Sequence, residues 1–324
     1  MHKNITLSVS DYILSIDDNG TLWKITTPIY PESSYFISVV AAKGKVGDWA
    51  LDADGCVWLV TDIPQRLTNL PTIQSISAQF SKVYLLDNEG QVWFSTAKHP
   101  TSTDFHKMVD LPAIAAISTS SHHSLFLDFE GCVWGLGSNQ VGELGTEGSN
   151  CDFMAVNSPR KFLSLPPIEA IFAQWNVSVF LDFDGEIWHC GSNVSTQFGL
   201  VHRSFTPKKP FEGKLPPIKF ASIAFAHSLY LDFEGYVWSC GSNQHGQLGL
   251  GDSRTRSTPV RLETLPTIEL VSAGSSLSAF LDVDGFVWCC GAGYGEATLP
   301  RKLEGIPKIQ KPGGPPIKKN ARFT

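Results

Sequence analysis

The 324-residue chain has no long uninterrupted apolar run. Its most hydrophobic stretch, Phe220 to Tyr230, is broken by His227 and is too short to cross a bilayer. The opening residues MHKNITLSVSDYILSIDDNG place no apolar block behind a basic start, so no signal peptide is expected. The expected location is intracellular, cytoplasmic or nuclear, without membrane association. Positive charge is also in short supply. Lys and Arg number 25 against 31 Asp and Glu, a formal net charge of -6, which weighs against nucleic acid as a partner. G-x-S-x-G, the Walker Gly-Lys-Ser/Thr and H-E-x-x-H are all missing. The seven cysteines form no C-x-x-C pair, and the nine histidines are scattered. No catalytic residue, no metal and no cofactor is therefore expected. What remains, at 42% apolar and 17% charged residues, is the composition of a folded globular protein.

One phrase recurs along the whole chain. IDDNGTLW (Ile16 to Trp23) is followed by LDADGCVW, LDNEGQVW, LDFEGCVW, LDFDGEIW, LDFEGYVW and LDVDGFVW, ending at Trp58, Trp93, Trp134, Trp188, Trp238 and Trp288. Seven of the nine tryptophans are placed in this way, leaving Trp49 and Trp175. The anchors are separated by 35, 35, 41, 54, 50 and 50 residues, the pattern of one supersecondary unit repeated with variable loops. Two β-rich runs flank each Asp-x-acid-Gly, which predicts a β-hairpin. The capping side chains are Asp17, Asp52, Asp87, Asp128, Asp182, Asp232 and Asp282. The left-handed turn residues are Gly20, Gly55, Gly90, Gly131, Gly185, Gly235 and Gly285. Cys190, Cys240 and Cys290 each follow an anchor Trp by two residues, one buried position used three times.

Upstream of most anchors stands Leu-Pro-x-Ile, as in LPTIQSISAQ and LPPIEAIFAQ, where Pro marks a strand entrance and a buried strand follows. Segments such as SPRKFLSL and TPVRLETL predict a fourth, outer strand. Four antiparallel strands in seven units predict an all-β, seven-bladed propeller occupying residues 1–310 as a single domain. LPRKLEGIPKIQ (Leu299 to Gln310) copies TPVRLETLPTIE without a following anchor, and the N-terminus begins at the inner strand. The expected closure is therefore a blade assembled from N- and C-terminal strands. Residues 311–324, KPGGPPIKKNARFT, are expected to be a disordered basic tail.

AFAHSLYLDFEGYVWSCGSNQHGQLGLGDSRTRSTPVRL resembles the repeat of the regulator of chromosome condensation family in its His-Ser, Asp-Gly, Trp-x-x-Gly-x-Asn and Gly-Gln-Leu-Gly elements. HHSLFLDFEGCVWGLGSNQVGELG is similar, and the first three units keep only the hairpin and inner strand. The resemblance implies a seven-bladed propeller and guanine-nucleotide exchange on the small GTPase Ran. Exchange of this kind proceeds by differential contacts, with no covalent chemistry. Two alternatives stand beside it, a non-catalytic adaptor or enzyme-inhibitor propeller and a chromatin-binding module. The partner expected first is a small GTPase, and the protein is expected to be monomeric.

The candidate partner-binding rim comprises His123, His227, Trp175, Asn139, Gln140, Asn243, Gln244 and His245, with Phe153 and Met154 in the longest inter-anchor loop. His123 and His227 have a second reading as loop-stabilising hydrogen-bond partners. Gly145 to Lys161 reads either as a wedge directed at a partner or as a long inter-blade connection. The family's inner loops resemble Gly-Asp-x-His, and the corresponding acidic positions here are Ser121, Trp175, Phe225 and Ser275.

Overall fold

In every described repeat the anchor Asp accepts three hydrogen bonds, and these bonds fix the hairpin. Asp232 Oδ1 takes the backbone N–H of Glu234 at 3.0 Å and of Tyr236 at 2.8 Å, while Oδ2 takes the indole N–H of Trp238 at 3.0 Å. Asp182 does the same with Asp184, Glu186 and Trp188, and Asp282 with Asp284, Phe286 and Trp288. Asp52, Asp87 and Asp128 repeat the set. The carboxylate thus caps the turn and orients the Trp ring across the third strand. Glycine closes the turn because its φ is positive, +87° at Gly235 and +79° at Gly185. A side chain there would also collide with the next blade, since a Cβ on Gly185 would lie 2.7 Å from the Ile218 nitrogen.

The computed structural model describes the side chains of residues 49–52, 54–60, 65–79, 82–97, 101, 103–145, 156–192, 203–211, 213–292 and 297–304, and before residue 49 the backbone of strands. Six four-stranded antiparallel blades follow one another along the chain. Blade 1 comprises Phe36–Val40, Asp48–Asp52, Val57–Val60 and Gln65–Arg66, and blade 2 Ile73–Gln79, Lys82–Asp87, Val92–Ser95 and His106–Lys107. Blade 3 comprises Ile114–Thr119, His123–Asp128, Val133–Gly137 and Val156–Lys161, and blade 4 Ile168–Gln174, Val177–Asp182, Ile187–Ser192 and Arg203–Lys208. Blade 5 comprises Ile218–Ile223, His227–Asp232, Val237–Gly241 and Arg256–Arg261, and blade 6 Ile268–Ala273, Leu277–Asp282, Val287–Gly291 and Ala297–Lys302. A smaller N-terminal sheet is made of Leu7–Val9, Ile13–Ile16, Leu22–Lys24 and Thr27–Tyr30.

First strands of successive blades lie side by side, which places them around the axis. The first strand of the N-terminal sheet sits between those of blade 6 and blade 1 and completes the circuit. Neighbouring blades are also stitched by their turns. The Ile73, Ile114, Ile168, Ile218 and Ile268 amides donate to the carbonyls of Gly55, Gly90, Gly131, Gly185 and Gly235 in the preceding blade, all at 2.8–2.9 Å. The apolar core lies between blades. Leu125, Leu127 and Phe162 of blade 3 and its connection pack on Ile168, Phe180 and Cys190 of blade 4, and the next interfaces repeat the arrangement with Cys240 and Cys290. The three cysteines are fully buried, and burial pushes their thiols far above the ordinary range.

The expectation of a seven-bladed ring closed by pairing N- and C-terminal strands in one blade is corrected. The structure has six blades beside the small N-terminal sheet, and every sheet is contiguous in sequence. The reason is that among the described residues no outer strand is left over. Ala297–Lys302 pairs with the third strand of its own blade, Trp288 opposite Lys302, and Thr27–Tyr30 already fills the outer place of the N-terminal sheet. Asp17, Gly20, the domain limit at 310 and the tail at 311–324 fall outside the described residues.

Replacing Asp232 by Asn keeps one oxygen for the turn amides but sets an amide N–H₂ against the Trp238 indole N–H. Asp232→Asn is expected to lower stability by about 1–3 kcal/mol, read as a lower urea midpoint with unchanged slope; an unchanged midpoint would refute the role of the third hydrogen bond.

Candidate partner-binding rim

Antiparallel strands divide the loops between two rims. Asp-Gly turns and Leu-Pro strand entrances lie on one, here the turn rim. The first-to-second-strand loops and the third-to-fourth-strand loops lie on the other, the loop rim. All candidate residues from the sequence within the described segments fall on the loop rim or in the strands beneath it.

His123 and His227 are fully buried. The Nε2 of His123 lies 2.8 Å from Ser178 Oγ in the next blade, and Ser178 Oγ donates at 2.5 Å to the Glu143 carbonyl in the third-to-fourth-strand loop. His227 repeats the chain with Ser278 at 2.8 Å and the Gln247 carbonyl at 2.7 Å. The serine proton is committed to the carbonyl, so the imidazole Nε2–H must donate. Each ring is therefore the neutral tautomer with Nδ1 as acceptor. Burial drives both rings toward neutrality, to about 3 at His123 and about 4 at His227. At His123 the positive Lys82 contributes in the same direction. Both histidines thus pin a loop to the neighbouring blade.

Asn139 and Asn243 are buried as well. Their Oδ1 atoms accept the Leu144 and Leu248 amides at 3.0 and 2.9 Å, and Asn243 Nδ2 donates to the Asp252 carbonyl at 2.8 Å. Glu143 and Gln247 complete the loops by accepting the Val141 and His245 amides. With all of these groups engaged, Gln140, Gln244 and His245 are left as the exposed members of the candidate set. Phe153 and Met154 lie outside the described residues, so neither reading of their loop is decided.

Trp175 is half-buried and has a φ of +45°, one of two positive values among the described non-glycine residues. A bulky residue in this region is strained, and the strain is held by packing. Its carbonyl lies 3.1 Å from Ser120 Oγ of blade 3, whose single proton is shared between that carbonyl, the His123 carbonyl and His123 Nδ1. Its ring meets His122 of blade 3 at 5.8 Å and Phe225 of blade 5 at 4.9 Å, both edge-on. Three first-to-second-strand loops of consecutive blades therefore present one aromatic row. His122 was not singled out in the sequence, and Phe225 only as a register position two before His227; their closeness to His123 and His227 in the repeat was the available signal. Among the described residues no three His, Cys, Asp or Glu side chains converge as a metal site.

The model of the regulator of chromosome condensation (RCC1) repeat matches residues 234–281, from the turn of blade 5 to the second strand of blade 6. No curated protein matches the chain by sequence. Among solved structures, yeast RCC1 (Prp20) bound to Kap60 superposes with a TM-score of 0.75 at 19% identity, covering 94% of this chain and 85% of that one. The fold is thus similar to that of the yeast RCC1 propeller, and residues 234–281 carry the match to its repeat. Prp20p from Saccharomyces cerevisiae, studied for its binding to Gsp1p and histones, gives a TM-score of 0.74 at 19% identity over 93% of this chain and 88% of that one. Human WBSCR16 gives 0.70 at 14% identity over 85% of each.

The propeller varies its own pinning motif, which makes the motif testable. In blade 3 Ser120 Oγ lies 3.0 Å from His123 Nδ1, whereas in blade 5 the matching residue is Ala224 and His227 Nδ1 is buried without a partner. Ala224→Ser is expected to raise stability by about 1 kcal/mol, measured by urea unfolding; a decrease would show that the site cannot take the hydroxyl. The histidines also set a pH dependence. Below the ordinary value of 6.5 the unfolded chain binds protons that the folded protein refuses until about 3 to 4. Their contribution is thus fully present above pH 6.5 and lost as pH falls, by up to about 1.4 kcal/mol per pH unit for each ring. The urea midpoint is expected to drop from pH 7 to pH 5, and to drop less in His123→Gln/His227→Gln; equal slopes would overturn the assignment.

Proposed function

We propose that this propeller is a protein-interaction module whose loop rim binds a small GTPase of the Ran kind. The observation that supports this reading is the aromatic row His122, Trp175 and Phe225, with the strained Trp175 at its centre and exposed Gln140, Gln244 and His245 on the same rim. Half-buried aromatic side chains on rigid loops are the residues that dominate protein interfaces. The fold similarity to Prp20p, a protein studied for its binding to Gsp1p, directs the choice of partner.

Binding and exchange separate at the level of residues. The positions two before the histidine register are Ser121, Trp175, Phe225 and Ser275, so no carboxylate is offered there, and His123 and His227 are spent on the fold. The reading is therefore an adaptor that holds its partner without accelerating nucleotide release. It acts as a monomer, intracellularly, through a propeller domain extending to residue 310.

Purified protein titrated into Ran loaded with a fluorescent guanine nucleotide tests both parts. A saturable anisotropy change with an unaltered release rate is expected. Trp175→Ala/Phe225→Ala is expected to weaken binding at least tenfold, about 1.4 kcal/mol. Absence of binding at micromolar protein would reject the GTPase reading, and accelerated release would reject the adaptor reading in favour of exchange.

A further inference from the structure

The turn rim bears a pattern that the loop-rim reading leaves unused. Eight large hydrophobic side chains are exposed among the described residues, and six of them, Val109, Phe129, Leu163, Phe183, Phe233 and Val283, lie on this rim with 41–84% of their surface open. Scattered exposed apolar residues are ordinary, but concentration of this kind marks an interaction surface. Phe129, Phe183, Phe233 and Val283 share one repeat position, the residue after the anchor Asp, in four consecutive blades. The turn does not require an aromatic there, because blade 2 places Asn88 at the same point with the same Asp-centred hydrogen bonds. None of the four packs in a core cluster with its own blade; their open faces are what the turn presents to solvent.

Charge follows the same register. The next residue is acidic in every one of these blades, Glu130, Asp184, Glu234 and Asp284, and all four are exposed. Glu89 and Asp110 extend the acidic series into blade 2 and its connection; the cations on the same rim include Lys214 and Lys219 on blade 5 and, at the ends of the fourth strands, Lys161, Lys208, Arg261 and Lys302. The arc therefore alternates an apolar side chain with a carboxylate, once per blade. At the turns themselves the residue adjoining each apolar side chain is a carboxylate, which attracts lysine or arginine side chains.

We propose that the turn rim of blades 3 to 6 is a second docking surface, which takes a protein segment alternating basic and apolar side chains. The apolar residues of the segment cover Phe129, Phe183, Phe233 and Val283, and its cations pair with the adjoining carboxylates. Because turn and loop rims lie at opposite ends of the blades, this surface stays open whatever occupies the loop rim, and the proposal does not rest on the GTPase reading.

The full-length protein tests it with a fluorescein-labelled ten-residue peptide of alternating Lys and Leu, compared with Glu-Leu and Lys-Ser peptides of the same length. Anisotropy is expected to show the Lys-Leu peptide binding at least tenfold more tightly than either control. Binding should fall at least tenfold in Phe129→Ser/Phe183→Ser/Phe233→Ser, and also in Glu130→Gln/Asp184→Asn/Glu234→Gln/Asp284→Asn. The single variant Phe183→Ser, at an exposed position, guards against misfolding of the triple variant and should weaken binding at least twofold with an unchanged thermal midpoint. Three outcomes would overturn the proposal: equal binding of all three peptides, full retention of Lys-Leu binding in folded variants, or concentration-dependent self-association in sedimentation velocity that the phenylalanine variants abolish, which would make the rim a contact between copies of this chain.

Discussion

The architecture depends on what one carboxylate does six times. An Asp oxygen that accepts two turn amides fixes the hairpin, and its second oxygen, by accepting the indole N–H, fixes the Trp ring over the neighbouring strand. The glycine three residues further on then has to be left-handed, and its carbonyl is thereby aimed at the first-strand amide of the following blade. Turn geometry within a blade and the junction between blades are consequences of the same bonds. A change at the Asp is felt by two sheets at once.

The loop rim uses a second polar device for the same purpose. The imidazole, hydroxyl and carbonyl chains running from His123 and His227 cross a blade interface and tie a glycine-containing loop to the next second strand. Such fully engaged polar groups rigidify a loop where an apolar contact would leave it free to slide. Rigidity at that place would serve the proposed binding, because the aromatic row of His122, Trp175 and Phe225 emerges from the adjoining loops and would lose little freedom against a partner.

Much of this was legible in the sequence. The hairpin, the capping Asp and the left-handed Gly follow from local turn chemistry, and the structure places each described copy in that role. The bond from Asp to Trp was less visible, although the constant six-residue spacing between them was its trace. Closure of the ring was misread because an outer strand resembles its copies whether it ends one blade or begins another; only pairing distinguishes the two, and Lys302 lies opposite Trp288. Position in the repeat loops placed His123, His227, Asn139 and Asn243 on a binding rim, with a loop-stabilising role already readable for the two histidines. Burial reassigns them to the loops' internal support, since a side chain without exposed surface has no face to offer.

Contiguity of every sheet has a consequence for how the molecule is made. Among the described strands none from the end of the chain is threaded into a sheet begun at its start, so each of these ladders can be completed as soon as its own segment emerges from the ribosome. Sequence-local pairing of this kind favours rapid formation of each sheet, and vectorial synthesis can add sectors one after another. Joining the last sector to the first then becomes a docking of finished surfaces.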